Sequence, residues 1–123
     1  MEKKKILIID DEQEVLGLLE KRLSWAGYSV VKADNGIEAL ALAKSQNPDL
    51  IILDIMLPGM GGEEVGQKLK LNPDTKHIPI IFLTCLVSRD EQTIIDSNAG
   101  NSIIAKPYEA DELLSEIKKH LQS

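Results

Sequence analysis

Three carboxylates, one hydroxyl and one amine follow short apolar runs at separate places in the 123-residue sequence. Asp10 and Asp11 follow the first run, Asp54 ends a second, Thr84 ends a third and Lys106 follows a fourth. An aspartate at such a place is usually a turn former or a helix cap when it is considered alone. Together, these five side chains could hold a divalent cation and stabilise the charge of a transferred phosphoryl group.

Grouped carboxylates are unfavourable by themselves, because like charges raise each other's pKa, and a bound cation removes this cost. Oxygen-only ligands favour Mg²⁺ over Zn²⁺, and the sequence offers no cluster of histidine or cysteine for another metal. Asp10 and Asp11 would hold the metal, and Asp54 would stay ionised and attack phosphorus as a nucleophile. Lys106 would pair with the phosphoryl group, and Thr84 would donate a hydrogen bond to it.

Two kinds of segment alternate along the chain and would position these residues. Short apolar runs predict strands at 6–9, 28–33, 50–53, 80–83 and 103–105, and the second, less regular run predicts an edge or near-edge strand. Helical spacing and end signals predict helices over 12–26, 36–47, 62–71, 88–98 and 113–121. Strands that alternate with helices predict an open parallel α/β sheet, in which ligands bind at the carboxyl ends of the strands.

Composition limits the class of protein. The length fits one domain, and a formal net charge of −6 argues against nucleic-acid binding. The run from Lys3 to Lys5 is therefore interpreted as a solvated start of the first strand. The single cysteine, Cys85, excludes an internal disulfide. No stretch has the length of a signal-peptide core or a membrane span, so we expect a cytoplasmic protein.

The motifs around these residues resemble those of receiver domains in two-component response regulators. The resemblance covers essentially all 123 residues. It rests on Ile8-Ile9-Asp10-Asp11-Glu12, Asn35-Gly36, Leu53-Asp54-Ile55-Met56-Leu57-Pro58, Thr84 and Lys106-Pro107-Tyr108. It implies one receiver domain over residues 1–123, with a flavodoxin-like α/β fold: a five-stranded parallel sheet of order 2-1-3-4-5 flanked by five helices.

The resemblance also implies a role for each site residue. Asp54 would be the phosphoacceptor, and Thr84 and Lys106 would hold the phosphoryl oxygens. The implied Mg²⁺ ligands are Asp11 directly, Asp10 through water, Asp54 and the backbone carbonyl of Met56. The donor would be a phosphohistidine on a sensor histidine kinase or phosphotransfer protein, and the output would be altered protein–protein binding. No enzymatic activity beyond self-catalysed phosphoryl acceptance and loss is implied.

Several residues depart from the family pattern or have two interpretations. Ile103 occupies the position where the family usually has Tyr or Phe, which puts the usual switch coupling in doubt. Glycines at 59, 61 and 62 predict a loose loop after the third strand. Met56 and Leu86 lie two residues after Asp54 and Thr84, where apolar side chains are expected to lengthen the phosphorylated lifetime. His77 and His120 are interpreted as ordinary surface residues.

The first helix offers a further ambiguity. Its predicted core-facing residues are Val15, Leu18, Leu19 and Leu23, and those of the second helix are Ile37, Leu40, Ala41 and Ala43. Leu16 and Trp25 lie towards the edges of the first helix's apolar face. They are either partly buried edge residues or an apolar docking surface for a kinase's helical domain.

Three other functions are weighed against the phosphorylation-dependent switch. A phosphatase with an aspartyl nucleophile needs an acid two residues after Asp54, and Met56 stands there instead. A degenerate receiver that serves only as a binding scaffold is disfavoured by the complete set of acids with Thr84 and Lys106. The chain could also be the receiver part of a longer regulator that binds DNA elsewhere, although no output domain follows the last helix in these 123 residues.

Overall fold

The computed structural model describes residues 3–84 and 102–121. Its elements, in chain order, are β1 (Lys5–Ile9), α1 (Gln13–Trp25), β2 (Ser29–Ala33), α2 (Gly36–Gln46), β3 (Leu50–Asp54), α3 (Gly62–Leu71), β4 (Ile80–Thr84), β5 (Ser102–Ala105) and α4 (Ala110–Leu121). The helix predicted over 88–98 lies outside the described residues, as do Cys85 and Leu86. None of the helices in these two ranges has the length and hydropathy that a membrane span requires.

The five strands form one parallel sheet of order β2-β1-β3-β4-β5, which confirms the predicted topology. Every residue of β3 and β4 is buried, and so are four of the five in β1. Their continuous apolar sequences follow from this position, because helices cover both faces of a central parallel strand. The strand predicted to lie at or near an edge, β2, is an edge strand of the sheet, and its Lys32 is exposed.

Alternate residues of each strand enter two separate core layers. Leu7 and Ile9 of β1 belong to the layer beneath α2 and α3, while Ile6 and Ile8 belong to the layer beneath α1 and α4. Phe82 is the only aromatic residue among the buried hydrophobic side chains of the described ranges. The sheet therefore has its strand ends fixed from both faces by aliphatic packing.

The faces of α1 and α2 differ from the prediction. Leu16 is 2% exposed and belongs to the core, whereas Leu18, predicted to be buried, is 51% exposed. In α2 the prediction was also wrong for Ile37, which is 75% exposed, while Ala39 and Ala43 are buried. Both helices carry more apolar residues than one face can bury, so contact with the sheet decides which of them face the core.

The start of α3 lies directly against the end of β3. A Cβ atom at Gly62 would lie 2.4 Å from the backbone oxygen of Asp54, so only glycine fits without a shift of the backbone. The Gly62 N–H donates to the Ile55 carbonyl at 3.0 Å. The prediction of a loose loop was therefore wrong at Gly62, where a close approach anchors α3 beside the strand that carries Asp54.

Candidate functional site

The predicted site residues meet at the carboxyl edge of the sheet. Asp10 follows β1, Asp54 is the last residue of β3, Thr84 is the last residue of β4, and Lys106 follows β5. The Lys106 N–H donates to the Thr84 carbonyl at 2.8 Å, which joins the ends of the last two strands. Parallel pairing places these ends side by side, although the residues are far apart in sequence.

Asp10 is held by its backbone and by one carboxylate oxygen. Its N–H donates to the Ala33 carbonyl at 3.2 Å, and its Oδ1 accepts from the Glu12 N–H at 2.9 Å. Its Oδ2 is buried and has no hydrogen-bond partner in the part of the chain that the structure describes. Burial raises the pKa of Asp10, the nearby Asp54 carboxylate adds to this, and the Glu12 amide and Lys106 oppose it.

Asp54 is 6% exposed and lies between two donors. Its Oδ1 accepts from the Met56 N–H at 2.9 Å, and its Oδ2 accepts from Lys106 Nζ at 3.3 Å. The same Nζ lies 3.6 Å from Asp10 Oδ2, so one ammonium group faces both buried carboxylates. This arrangement leaves an excess of negative charge at the site, since Asp11 is also close by.

The oxygens of Asp10, Asp11 and Asp54 form a set that could hold a cation. One carboxylate oxygen from each lies within 4.8 Å of the other two. The donors are all oxygen, the site carries net negative charge, and Asp10 Oδ2, which accepts no hydrogen bond from the described residues, is available as a ligand. These features fit a hard divalent cation such as Mg²⁺ better than Zn²⁺, which favours nitrogen and sulfur ligands.

Some features of the site could not be recognised from side-chain types. The groups that hold the aspartates include the backbone amides of Glu12 and Met56 and the carbonyl of Ala33. Tyr108, which was noted only as part of a motif, is half-buried near the site. Burial raises its pKa, while Lys106 and Arg22 lower it. The order Lys106-Pro107-Tyr108 is the only signal in the sequence that could have identified this neighbour.

Ile103 pairs with Phe82 across β4 and β5 and packs, partly buried, against the core layer beneath α2 and α3. Met56 is 59% exposed beside the site, while its amide holds Asp54. What Ile103 does to switch coupling and what Met56 does to the phosphorylated lifetime stay predictions.

The prediction for His120 was wrong. Its side chain is 16% exposed, and its Nε2 lies 2.8 Å from Ser102 Oγ, which also donates to Glu116 Oε2 at 3.0 Å. The spacing of Glu116 and His120, one helical turn apart, is the signal that could have found this contact. The group joins α4 to the start of β5, at the opposite edge of the sheet from Asp54. His77 is exposed, as predicted.

Residues 6–118 match the family model of the response regulator receiver domain. The chain belongs to that family. Receiver domains accept a phosphoryl group on an aspartate in two-component signalling, and the buried aspartate at the end of β3 is consistent with this role.

Some relatives are matched over nearly the full length of both chains. The chain is 32% identical over 118 residues to the polar-differentiation response regulator DivK of Brucella anthropi, and the match covers 96% of each chain. The chemotaxis protein CheY4 of Vibrio cholerae has a TM-score of 0.90 and 29% identity, and the match covers 98% of this chain and 100% of that one.

Two further comparisons concern metal binding and length. The receiver domain of a Pseudomonas aeruginosa sensor histidine kinase was solved with a magnesium ion coordinated in its active-site cleft. It has a TM-score of 0.88 and 25% identity, and the match covers 99% of this chain and 100% of that one. The chain spans about half the length of other curated relatives that are 38% and 40% identical to it.

Proposed function

We propose that residues 1–123 form a single receiver domain in which Asp54 accepts a phosphoryl group from a phosphohistidine. The observation that carries the proposal is the position of the Asp54 carboxylate. It is buried at the end of a central strand, contacts the ammonium of Lys106 at 3.3 Å, and lies within 4.8 Å of Asp10 and Asp11.

In the proposed step, one carboxylate oxygen of Asp54 forms a bond to phosphorus as the P–N bond of the donor breaks. The donor imidazole leaves with the electron pair of that bond and takes up a proton. Lys106, which pairs with Asp54 in the structure, would then pair with a phosphoryl oxygen as well. Thr84 ends the neighbouring strand and would donate its hydroxyl hydrogen to another phosphoryl oxygen.

The residues that would hold Mg²⁺ are Asp10, Asp11, Asp54 and the backbone carbonyl of Met56. The Oδ2 of Asp10, which accepts no hydrogen bond from the described residues, and the oxygen-only donor set support this assignment. Bound Mg²⁺ supplies positive charge next to the phosphoryl oxygens. Lys106 alone leaves three carboxylates incompletely compensated, so a cation is also expected to stabilise the folded domain.

The proposed signalling role is a change in protein–protein binding after phosphorylation, in the cytoplasm. The donor would be a sensor histidine kinase or a histidine phosphotransfer protein. The domain would have no activity beyond its own phosphoryl acceptance and loss, because Met56 offers no acid to protonate a leaving group. A fifth helix over 88–98 would complete the layer of helices around the sheet.

The test is phosphorylation by a small donor. The protein is incubated with acetyl phosphate and Mg²⁺, and the intact mass is recorded for the original chain, for Asp54→Asn and for Asp74→Asn as the control. Asp74 suits this purpose because its side chain is 64% exposed on the loop after α3.

We expect one phosphoryl group on the original chain and on the Asp74 variant, and none on Asp54→Asn or after removal of Mg²⁺. No phosphoryl group on the original chain with acetyl phosphate or another small donor would reject the switch. It would leave the binding-scaffold function in its place.

A further inference from the structure

Two of the three methionines in the sequence lie on the loop between β3 and α3, and they differ in exposure. Met56 is 59% exposed. Met60 is partly buried and packs against the core layer beneath α2 and α3. The third, Met1, lies outside the described residues. A thioether is oxidised most readily where solvent reaches its sulfur, so Met56 and Met60 should differ in their sensitivity to oxidants.

The sulfur of Met60 is covered by the start of α2. A Cβ atom built on Gly36 would lie 3.1 Å from Met60 Sδ and 2.9 Å from Val65 Cγ2, which is closer than ordinary van der Waals contact. The buried backbone of Gly36 therefore packs directly against this sulfur and leaves little room for another molecule. Met60 thus serves as an internal reference, since it lies on the same loop as Met56 but has a shielded sulfur.

The backbone of Met56 is fixed beside the phosphoacceptor, while its side chain is exposed. The Met56 N–H donates to Asp54 Oδ1 at 2.9 Å, and the Met56 carbonyl is a proposed ligand of Mg²⁺. Both groups belong to the backbone, so a chemical change at the sulfur does not alter them. The part of Met56 that a reagent in solution can reach is the side chain that we expect to shield a phosphoryl group on Asp54 from water.

We propose that Met56 is an oxidation-sensitive regulatory position, at which conversion of the thioether to a sulfoxide by a peroxide shortens the phosphorylated lifetime of Asp54. The inference rests on the proposed phosphorylation of Asp54 and adds a second, redox-dependent control to the same site. The reagent would be a small uncharged peroxide. An anionic oxidant would be repelled, because the carboxylates of Asp10, Asp11 and Asp54 exceed the single ammonium of Lys106.

The oxidation needs no reactant other than the peroxide. A lone pair of the Met56 sulfur forms a bond to one oxygen of hydrogen peroxide as the O–O bond breaks. The other oxygen leaves with the electron pair of that bond and takes up the proton of the first oxygen. The thioether is thereby oxidised to a sulfoxide, and the peroxide is reduced to water. Methionine sulfoxide reductases reverse the change, as a regulatory role requires.

The sulfoxide would change how water reaches the phosphoryl group. A thioether is apolar, whereas a sulfoxide is polar and its oxygen accepts hydrogen bonds from water. Water is also the nucleophile that removes a phosphoryl group from Asp54. Oxidation should therefore speed the loss of the phosphoryl group. Acceptance of the group should be retained, because it depends on Asp54, Lys106 and Mg²⁺ rather than on the Met56 sulfur.

The first test measures which methionine reacts. All proteins carry Cys85→Ala, so that oxidation of the thiol does not contribute. The folded chain is treated with hydrogen peroxide, quenched and digested, and the sulfoxide is located by fragmentation of the peptide that contains both Met56 and Met60. We expect Met56 to be oxidised several-fold faster than Met60. The difference should disappear in urea, where unfolding exposes both sulfurs.

The second test measures the phosphorylated lifetime. Each protein is phosphorylated with acetyl phosphate and Mg²⁺, with and without earlier peroxide treatment, and the decay of the phosphorylated mass is recorded after donor removal. Oxidation should shorten the lifetime several-fold in the Cys85→Ala chain and in the matched control that also carries Met60→Leu. The chain that also carries Met56→Leu should not respond to peroxide. Methionine sulfoxide reductases should restore the lifetime of the oxidised chain.

Four outcomes would overturn the proposal. These are oxidation of Met60 as fast as Met56, a lifetime that oxidation leaves unchanged or lengthens, an equal response to peroxide in the Met56→Leu chain, and loss of phosphoryl acceptance on oxidation. The last would show that oxidation disturbs the site itself rather than its access to water. Absence of phosphoryl acceptance in the untreated chain is a distinct result. It would reject the proposed function and the lifetime effect together, while the peptide masses would still identify the reactive methionine.

Discussion

The burial of Asp10 leads to a prediction about stability. In the absence of Mg²⁺, Asp10→Asn should raise the free energy of unfolding, although it removes a charge that faces Lys106. The Asp10 side chain is 2% exposed, and its Oδ2 has no hydrogen-bond partner in the described ranges. Asparagine has nearly the same shape and carries no charge, so the substitution isolates the cost of burying the carboxylate.

The expected magnitude follows from three contributions. At an effective dielectric constant of about 20, the 3.6 Å separation of Asp10 Oδ2 and Lys106 Nζ corresponds to about 5 kcal/mol of attraction. On the same scale, the repulsion between Asp10 and Asp54 oxygens within 4.8 Å is about 3.5 kcal/mol. These nearly cancel, and removing a carboxylate from water costs roughly several kcal/mol, so we expect Asp10→Asn to stabilise the domain by about 1–3 kcal/mol.

The assay is urea denaturation followed by circular dichroism in EDTA. Asp74→Asn is the control, since its exposed side chain makes only a 4.0 Å contact with Lys44 and the change should stay within about 0.5 kcal/mol. Adding Mg²⁺ should stabilise the original chain by mass action and stabilise Asp10→Asn much less, because a ligand of the cation is lost.

The dependence of the free energy of unfolding on pH provides a second test of the cost of burying Asp10. Because the pKa of Asp10 is raised in the folded state, the folded chain binds its proton more tightly than the unfolded chain does. The original chain should therefore gain stability as pH falls through this raised pKa towards the ordinary value of 3.8, and the advantage of Asp10→Asn should shrink. An Asp10→Asn domain no more stable than the original at neutral pH in EDTA would refute the reasoning, as would an advantage that persists at acidic pH.

Four further predictions concern glycine packing and the phosphoryl group. Gly62→Ala should lower the free energy of unfolding by about 2 kcal/mol, because its Cβ would lie 2.4 Å from the Asp54 carbonyl oxygen. Gly17→Ala in α1, whose Cβ would meet nothing within 4 Å, should raise it by about 0.5–1 kcal/mol in the same urea assay, and equal effects would contradict the packing argument. Lys106→Met should slow acceptance of phosphate from acetyl phosphate about tenfold or more, as the removal of a charged donor predicts, and an unchanged time course of intact mass would exclude Lys106 from the step. Met56→Ala should shorten the phosphorylated lifetime several-fold by admitting water to Asp54. Decay of the phosphorylated mass after donor removal measures this, and a lifetime that is unchanged or longer would reject a shielding role.

The sheet could be predicted from the sequence because its central strands are buried on both faces. Such strands need continuous apolar runs, and the runs that became β1, β3 and β4 have no other simple interpretation. The less regular run at 28–33 indicated an edge strand for the same reason, since one side of an edge strand can carry a residue such as Lys32. The residue types in each run, and the alternation of these runs with helical segments, were sufficient to predict the strands.

That these side chains gather at one edge of the sheet could be predicted as well, because Asp10, Asp54, Thr84 and Lys106 each end or directly follow a strand. The contacts within the site could not. That Lys106 faces Asp10 and Asp54 together, at 3.6 and 3.3 Å, depends on the pairing of strands across the sheet. The amides of Glu12 and Met56 that hold the aspartates are backbone groups, which leave no mark on the choice of residue.

The orientation of α1 shows which features depend on the sequence alone and which depend on the tertiary structure. The sequence by itself determined that α1 is amphipathic and that carboxylates, a hydroxyl and an amine gather at one edge of an α/β sheet. Only the tertiary structure decided that Leu16 is buried while Leu18 and Trp25 face solvent beside α4. The physical reason is that a helix with apolar residues on more than one face has several orientations of similar hydrophobic gain, and packing against the sheet and α4 selects one of them.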